Sequence, residues 1–199
     1  MVELMAVVGI MALLAVVGIP ALKGLTGSGS RKQALGQLLG AMELARNTAI
    51  SSGTNAAVIF PDSTFPDGEA YKYRSLAVVT WFNDTNGNAT NKMVGPWIVL
   101  PQGVAIFPKS LDEGNLPSAT NVYYQILTKT KSHKFPAIVF QSEGSLLEDT
   151  AVIPTNGIAF FEGTVSGTTA NPSSRMTNFE TVRITRYTGR AIATLAPAP

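Results

Sequence analysis

The chain has 199 residues, of which 45% are hydrophobic and 14% are charged, and its formal net charge is +2. This length suits one domain with an appendage, and the composition excludes an intrinsically disordered protein. The net charge is too small to indicate a nucleic-acid partner. The chain has no cysteine, so disulfides and cysteine–metal clusters are excluded.

An uncharged segment opens the chain. Residues 4–22 carry no charged side chain, and ten of these 19 residues are Leu, Ile or Val. As a helix the segment would be roughly 28 Å long, close to the thickness of the hydrocarbon core of a bilayer. A cleaved secretory signal would begin with basic residues, whereas this chain begins with Met-Val-Glu. We therefore predict a transmembrane helix within residues 1–22.

Charge around this segment bears on its orientation. Lys23, Arg31 and Lys32 follow the segment and no basic residue precedes it. The positive-inside rule then places the C-terminal domain in the cytoplasm, unless basic residues stand upstream of Met1. Glu3 either lies at the headgroup level without a role or needs an opposite charge inside the apolar environment.

The N-terminal pattern resembles that of type IV pilins and pseudopilins. Residues 2–10 are apolar except for Glu3, and Pro20 follows Glu3 by seventeen residues. The resemblance implies that Glu3 is the assembly glutamate, which pairs with the methylated N-terminal amine of a neighbouring subunit. It also implies a basic leader upstream of Met1, removed by a prepilin peptidase. Such a leader would hold the N-terminus in the cytoplasm and send the domain outward.

The next segment, residues 23–53, is predicted to continue the helix. Pro20 and the glycines Gly24, Gly27 and Gly29 predict a kink or an unwound stretch, or else an ordinary linker. After this stretch, apolar residues recur at three- and four-residue spacing, which predicts an amphipathic helix packed on the domain's own sheet. This apolar stripe consists of Leu35, Leu38, Leu39, Met42, Ala45 and Ala49.

The end of that helix carries a second resemblance. Residues 41–50 are similar to the "LARxxAI" helix of the GspH and FimT-like branch, which contains minor pseudopilins of type II secretion and minor pilins. Gly53 suits the C-cap of the helix.

Residues 54–199 are predicted to form a globular domain of antiparallel sheets, because short β-like segments follow one another without intervening helices. Tyr71 and Tyr73 alternate with charged residues and predict the beginning of a strand that continues through residues 76–82. Residues 164–178, rich in Ser, Thr, Gly and Asn, predict a surface loop. The other predicted strands are residues 56–60, 97–100, 104–107, 122–127, 137–140, 182–185 and 190–195.

Three further matches to the family fall in this domain. Residues 100–104 resemble its "LPxGV" motif, residues 138–144 its "hxFxxxG" strand and turn, and residues 188–190 its C-terminal "GR" strand. Together with the N-terminal matches, these motifs occur in the family's order and are distributed over most of the chain.

Candidate ligand sites match known patterns only in part. Asp84, Asn86 and Asn88 space oxygen side chains as in a calcium loop, but the terminal glutamate is missing and a tight turn is favoured. His133, the single histidine, stands in a basic segment that predicts a solvated loop. We predict no metal, no other cofactor and no catalytic residue.

Nucleic-acid binding is also disfavoured. Lys129, Lys131 and Lys134 could contact phosphate, or simply be solvated. Some FimT-like proteins bind DNA through arginines near the C-terminal Gly-Arg, which makes Arg190 a candidate. The second arginine of that pattern is replaced here by Ala191 and Ile192.

The sequence thus predicts an α+β protein with a long hydrophobic N-terminal helix packed on an antiparallel β domain. The resemblance implies a single-pass inner-membrane protein with its domain in the periplasm, which assembles with other pilin-like subunits into the pseudopilus of type II secretion. The alternatives are a minor pilin of a type IV pilus, for adhesion or DNA uptake, and an anchored β-domain that binds a partner without polymerising.

Overall fold

The fold begins with one long helix and continues as β structure. A computed structural model describes residues 2–66, 68–83, 89–112, 116, 122–125, 132–147, 157–173 and 179–196. The helix, α1, is Val2–Ser52. The antiparallel strands that follow confirm the α+β class. In chain order they are β1 Ala56–Ile59, β2 Ser75–Asn83, β3 Ala89–Met93, β4 Ile98–Val99, β5 Val104–Ile106, β6 Val122–Gln125, β7 Ser132–Phe135, β8 Ala137–Phe140, β9 Ile158–Ser166, β10 Thr169–Pro172, β11 Phe179–Ile184 and β12 Ala191–Ala196.

Within the described residues the strands form two larger sheets and a hairpin. The first sheet has the order β3-β2-β1-β8, with β4 paired to the other end of β2. The second has the order β10-β9-β11-β12, with β5 paired to β9. Strands β6 and β7 pair with each other. Both larger sheets contact the C-terminal half of α1.

The main core lies between α1 and the two sheets. Six helix residues are almost fully buried, and they recur at the spacing of one helix face. They pack with Val58 and Phe140 of the first sheet and with Phe160 and Val182 of the second. Predicted stripe residues Leu35 and Leu39 are only partly buried and flank this face. The six buried residues are Ala34, Leu38, Ala41, Met42, Ala45 and Ala49.

Helix α1 has no unwound stretch. It continues through Pro20 and through residues 24–30, so the prediction of unwinding at the glycines is wrong. Helix propagation is cooperative, and flanking helical turns can carry a few unfavourable residues. Bending of the helix axis at Pro20 stays a prediction. In the part of the chain that the structure describes, no helix meets both the length and the apolarity needed to cross a membrane.

The β domain departs from the prediction at several places, and strands β3 and β7 are among the elements that were not predicted. Tyr71 and Tyr73 lie in turns before β2, and Tyr73 has a φ of 56°. Strand β9, which is central to the second sheet, was not predicted. Its second half and β10 form a hairpin within residues 164–178, where a loop was expected. Gly53 has a φ of 65°, which confirms the predicted helix cap.

Candidate functional site

The described part of the chain brings three of the recognised motifs together at the end of α1. We call this place the helix–domain junction and define it by Arg46, Ile50, Gly144 and Gly189. Gly144 follows β8, and its φ is 86°. A Cβ atom at Gly144 would lie 2.8 Å from Ile50 Cδ1 and 3.3 Å from Arg46 Nε. The positive φ favours glycine at this turn, and the turn lies against the flexible ends of the Ile50 and Arg46 side chains.

Gly189 closes the junction from the other sheet. It has a φ of 62°, and a Cβ atom there would lie 2.1 Å from the carbonyl oxygen of Gly144. The same atom would lie 3.2 Å from Phe140 Cδ1 and 3.3 Å from Arg46 Cδ. Both turns thus lie against the Arg46 side chain, the Gly144 turn at Nε and the Gly189 turn at Cδ. Arg46 Nη1 in turn lies 3.4 Å from Glu43 Oε1.

An ion pair joins the helix to the second sheet about four turns away from this junction. Arg31 Nε lies 2.8 Å from Glu162 Oε1 on β9, and both side chains are about one quarter exposed. Arg31 Nε makes no hydrogen bond with a described residue, so the contact is an ion pair without an aligned N–H bond. The helix is therefore held at two separated points, which fixes its direction relative to the domain.

The turn at Gly144 has its own hydrogen-bond network. Gly144 N donates to Gln141 O at 2.8 Å, and Gln141 N donates to Ser145 O at 2.8 Å. Ser145 Oγ donates to Glu143 Oε1 at 3.0 Å. The Glu143 backbone N–H and then the Ser145 hydroxyl stabilise the carboxylate and hold its pKa below the ordinary value, although desolvation opposes them.

Those predicted site residues that the structure describes lie in separate parts of the chain. Glu3 belongs to the first turn of α1, and Pro20 lies within α1. Arg190 is exposed beside Gly189, and its carbonyl oxygen accepts a hydrogen bond from Thr185 N at 2.9 Å. Asp84, Asn86 and Asn88 lie outside the described residues, and so do Lys129 and Lys131. No group of residues suited to a metal ion occurs in the described ranges.

His133 is not in a loop. It lies in β7, where its ring packs edge-on against Phe135 at 4.8 Å and Phe65 at 6.0 Å between centroids. Its Nε2 is 3.4 Å from Thr64 Oγ1. The basic residues around it obscured this role in the sequence, because the aromatic partner Phe65 is distant in the chain. His133 is therefore a packing residue of the first sheet's outer face.

Residues 34–181 match the family model of the type II transport protein GspH. The chain belongs to the GspH family. This match covers about three quarters of the chain and confirms the resemblance to that branch. No curated protein and no solved structure matches the chain.

GspH membership assigns the chain a pseudopilin-like, structural role in type II secretion. The matched range includes Arg46, Ile50 and Gly144 of the junction and ends before Gly189. It begins after Glu3 and Pro20, so these residues rest on the sequence resemblance alone.

Proposed function

We propose that this GspH-family protein is a minor subunit of the periplasmic pseudopilus and assembles through the first half of α1. The observation that carries the proposal is the exposure of large apolar side chains there. Met5 is 79% exposed and Met11 66% exposed, and Val7 and Val8 are also exposed. Apolar surface of this kind on an elongated helix favours burial against lipid or neighbouring subunits.

The proposal places this helical segment in the inner membrane, with the β domain in the periplasm. It rests on residues 4–22, which contain no charged residue. Residues 2–31 of a regular helix extend over roughly 45 Å, enough to cross a bilayer and reach the domain. A protein that is only anchored and never polymerises would insert into the membrane in the same way. Anchoring and assembly therefore need separate tests.

In this proposal, Glu3 sets the axial offset between the helices of adjacent subunits. A carboxylate in an apolar environment is costly unless an opposite charge approaches it closely. The N-terminal amine of an adjacent subunit would provide that charge at one axial offset between helices. The subunit then works by polymerisation, without making or breaking a covalent bond.

The assembly role is tested by Glu3→Ala in cells that carry the complete secretion system. We expect normal membrane recovery and normal domain folding, with filament incorporation reduced at least about ten-fold, since breaking a buried charge pair removes several kcal/mol. Cross-linking to the other pilin-like subunits measures incorporation. Glu43→Ala is the matched control, because Glu43 is an exposed glutamate on the same helix. Wild-type incorporation of Glu3→Ala would refute the role of Glu3.

Anchoring is tested by Leu13→Arg, which places a charge in the middle of the proposed span. An arginine at the centre of a membrane helix disfavours insertion by about 3 kcal/mol. We expect the variant to leave the membrane fraction during alkaline carbonate extraction, while Leu13→Ala stays with it. Release of the unmodified chain by the same extraction would contradict the anchor and leave the family membership intact.

A further inference from the structure

A cleft lies beside the second half of β9, where this strand leads into the β9–β10 hairpin. Its volume is about 340 Å³, at the small end of the range for ligand sites. Three segments form its walls: the turns before β2, the β4–β5 connection and the β9–β10 hairpin. We call it the Arg74 cleft. The residues that the argument uses are Glu69, Lys72, Arg74, Gln102, Gly103 and Thr164.

Positive charge dominates the cleft. Lys72 pairs with Glu69, so these two charges largely offset each other. The Arg74 side chain is half-buried, and it makes no hydrogen bond or ion pair with any residue that the structure describes. A partly desolvated guanidinium presents a planar set of donors that fits a carboxylate in two parallel hydrogen bonds. The cleft therefore offers one uncompensated cation to a ligand.

Hydrogen bonds fix the backbone from which the Arg74 side chain extends. Tyr73, with a φ of 56°, is the single non-glycine residue with positive φ in the described ranges. Its N–H donates to Pro61 O at 2.8 Å, and its carbonyl oxygen accepts from Ile106 N at 2.8 Å. Leu100 N donates to Arg74 O at 2.8 Å. An unfavourable backbone conformation persists only where the surrounding structure determines it. With this conformation at Tyr73, the Tyr73 side chain packs in the core, and Lys72 and Arg74 line the cleft.

The rim of the cleft is open and carries uncharged polar groups. Gly103 and Gly167 have φ values of 81° and 61°, and a Cβ atom at either would meet no atom within 4 Å. Gln102 and Thr164 are exposed beside them. Amide and hydroxyl groups in the same cleft suit the backbone of an extended peptide.

We propose that the Arg74 cleft binds an acidic peptide segment of a partner protein, with one carboxylate on the Arg74 guanidinium and the peptide backbone along Gln102 and Thr164. Charge complementarity selects this occupant. A polyphosphate or nucleic acid needs several cations, whereas the cleft has two cations and the carboxylate of Glu69. The site goes beyond the proposed assembly through α1, since it uses other residues.

The test measures binding of a fluorescein-labelled peptide of alternating aspartate and glycine, amidated at its C-terminus, to the purified full chain in detergent. A peptide with asparagine in place of aspartate is the matched probe. We expect saturable binding of the aspartate peptide and at least about ten-fold weaker binding of the asparagine peptide, the effect of losing one charged hydrogen-bond pair.

Three variants locate the binding site. Arg74→Gln should weaken binding of the aspartate peptide about ten-fold. Arg74→Lys should give an intermediate affinity, because it keeps the charge and loses the paired donors. Arg183→Gln, an exposed arginine of β11, should bind like the unmodified chain. Circular dichroism melting curves verify that all three variants are folded.

Several results would overturn the proposal. They are equal binding of both peptides, unchanged affinity of Arg74→Gln, or absence of binding up to about 1 mM peptide. Displacement of the peptide by inorganic phosphate at a lower concentration than by free aspartate peptide would instead assign the cleft to phosphate groups. None of these results would alter filament incorporation of Glu3→Ala, so the two proposals fail independently.

Discussion

Gly189 and Gly144 lie so close together that a Cβ atom at position 189 would stand 2.1 Å from the Gly144 carbonyl oxygen. One glycine precedes the edge strand of the second sheet, and the other follows a strand of the first. Both glycines also lie against the side chain of Arg46 in α1, so this contact joins both sheets to the helix. If α1 is the assembly element, this junction transmits the helix position to the whole domain.

Gly189→Ala should destabilise the domain by roughly 2–4 kcal/mol, because it combines a left-handed backbone conformation with a collision against the Gly144 backbone. Chemical denaturation of the full chain measures the loss. Gly167→Ala is the matched control: its φ is also about 60°, but its Cβ position is free of neighbours, so about 1 kcal/mol is expected. Equal losses in the two variants would show that the contact with Gly144 contributes nothing.

Leu38→Ala should reduce the free energy of unfolding by about 2–5 kcal/mol, because Leu38 is fully buried between α1 and the sheets and its truncation leaves a cavity. Leu44→Ala, on the exposed side of the same helix, should change it by less than about 0.5 kcal/mol. Thermal melting of both variants under the same conditions provides the measurement. A large effect at Leu44 would indicate that the helix buries a different face.

Ser145→Ala should raise the pKa of the Glu143 carboxyl group toward its ordinary value, because the variant removes a hydroxyl that donates to the carboxylate. A lowered folded-state pKa stabilises the fold above the ordinary pKa, and this contribution disappears as the pH falls through the lowered value. Carbon-detected NMR titration of Glu143 measures the change. Ser142→Ala should have a smaller effect, since the Ser142 hydroxyl contributes least among the donors. An unchanged Glu143 pKa in Ser145→Ala would contradict the network.

Local sequence patterns predicted the parts of the fold that depend on local interactions. The spacing of Leu38, Met42, Ala45 and Ala49 gave the buried helix face, and Gly53 gave the helix end. Alternation failed at Tyr73, whose positive φ is held by hydrogen bonds to Pro61 and Ile106. Those partners are distant in the chain, so no nearby residue signals the turn.

The central strand β9 was missed for a related reason. Its apolar run from Ile158 to Phe161 is buried on both faces of the sheet, and a continuous run lacks the alternation that marks a half-buried strand. The hairpin from β9 to β10 turns at Gly167 within a polar stretch. Composition alone makes such a stretch look like a loop, although pairing to β9 orders it as a strand.

The amino-acid sequence by itself determined the α+β class, the helix and its buried face, and a resemblance that the GspH match confirmed. These features depend on residue order over a few turns or on a recognisable series of short motifs. The tertiary structure decided that Gly144 and Gly189 meet at Arg46, that Arg31 pairs with Glu162, and that the Arg74 side chain faces a cleft. Such contacts arise only when segments distant in the chain pack together, because close packing and charge pairing depend on distance in space.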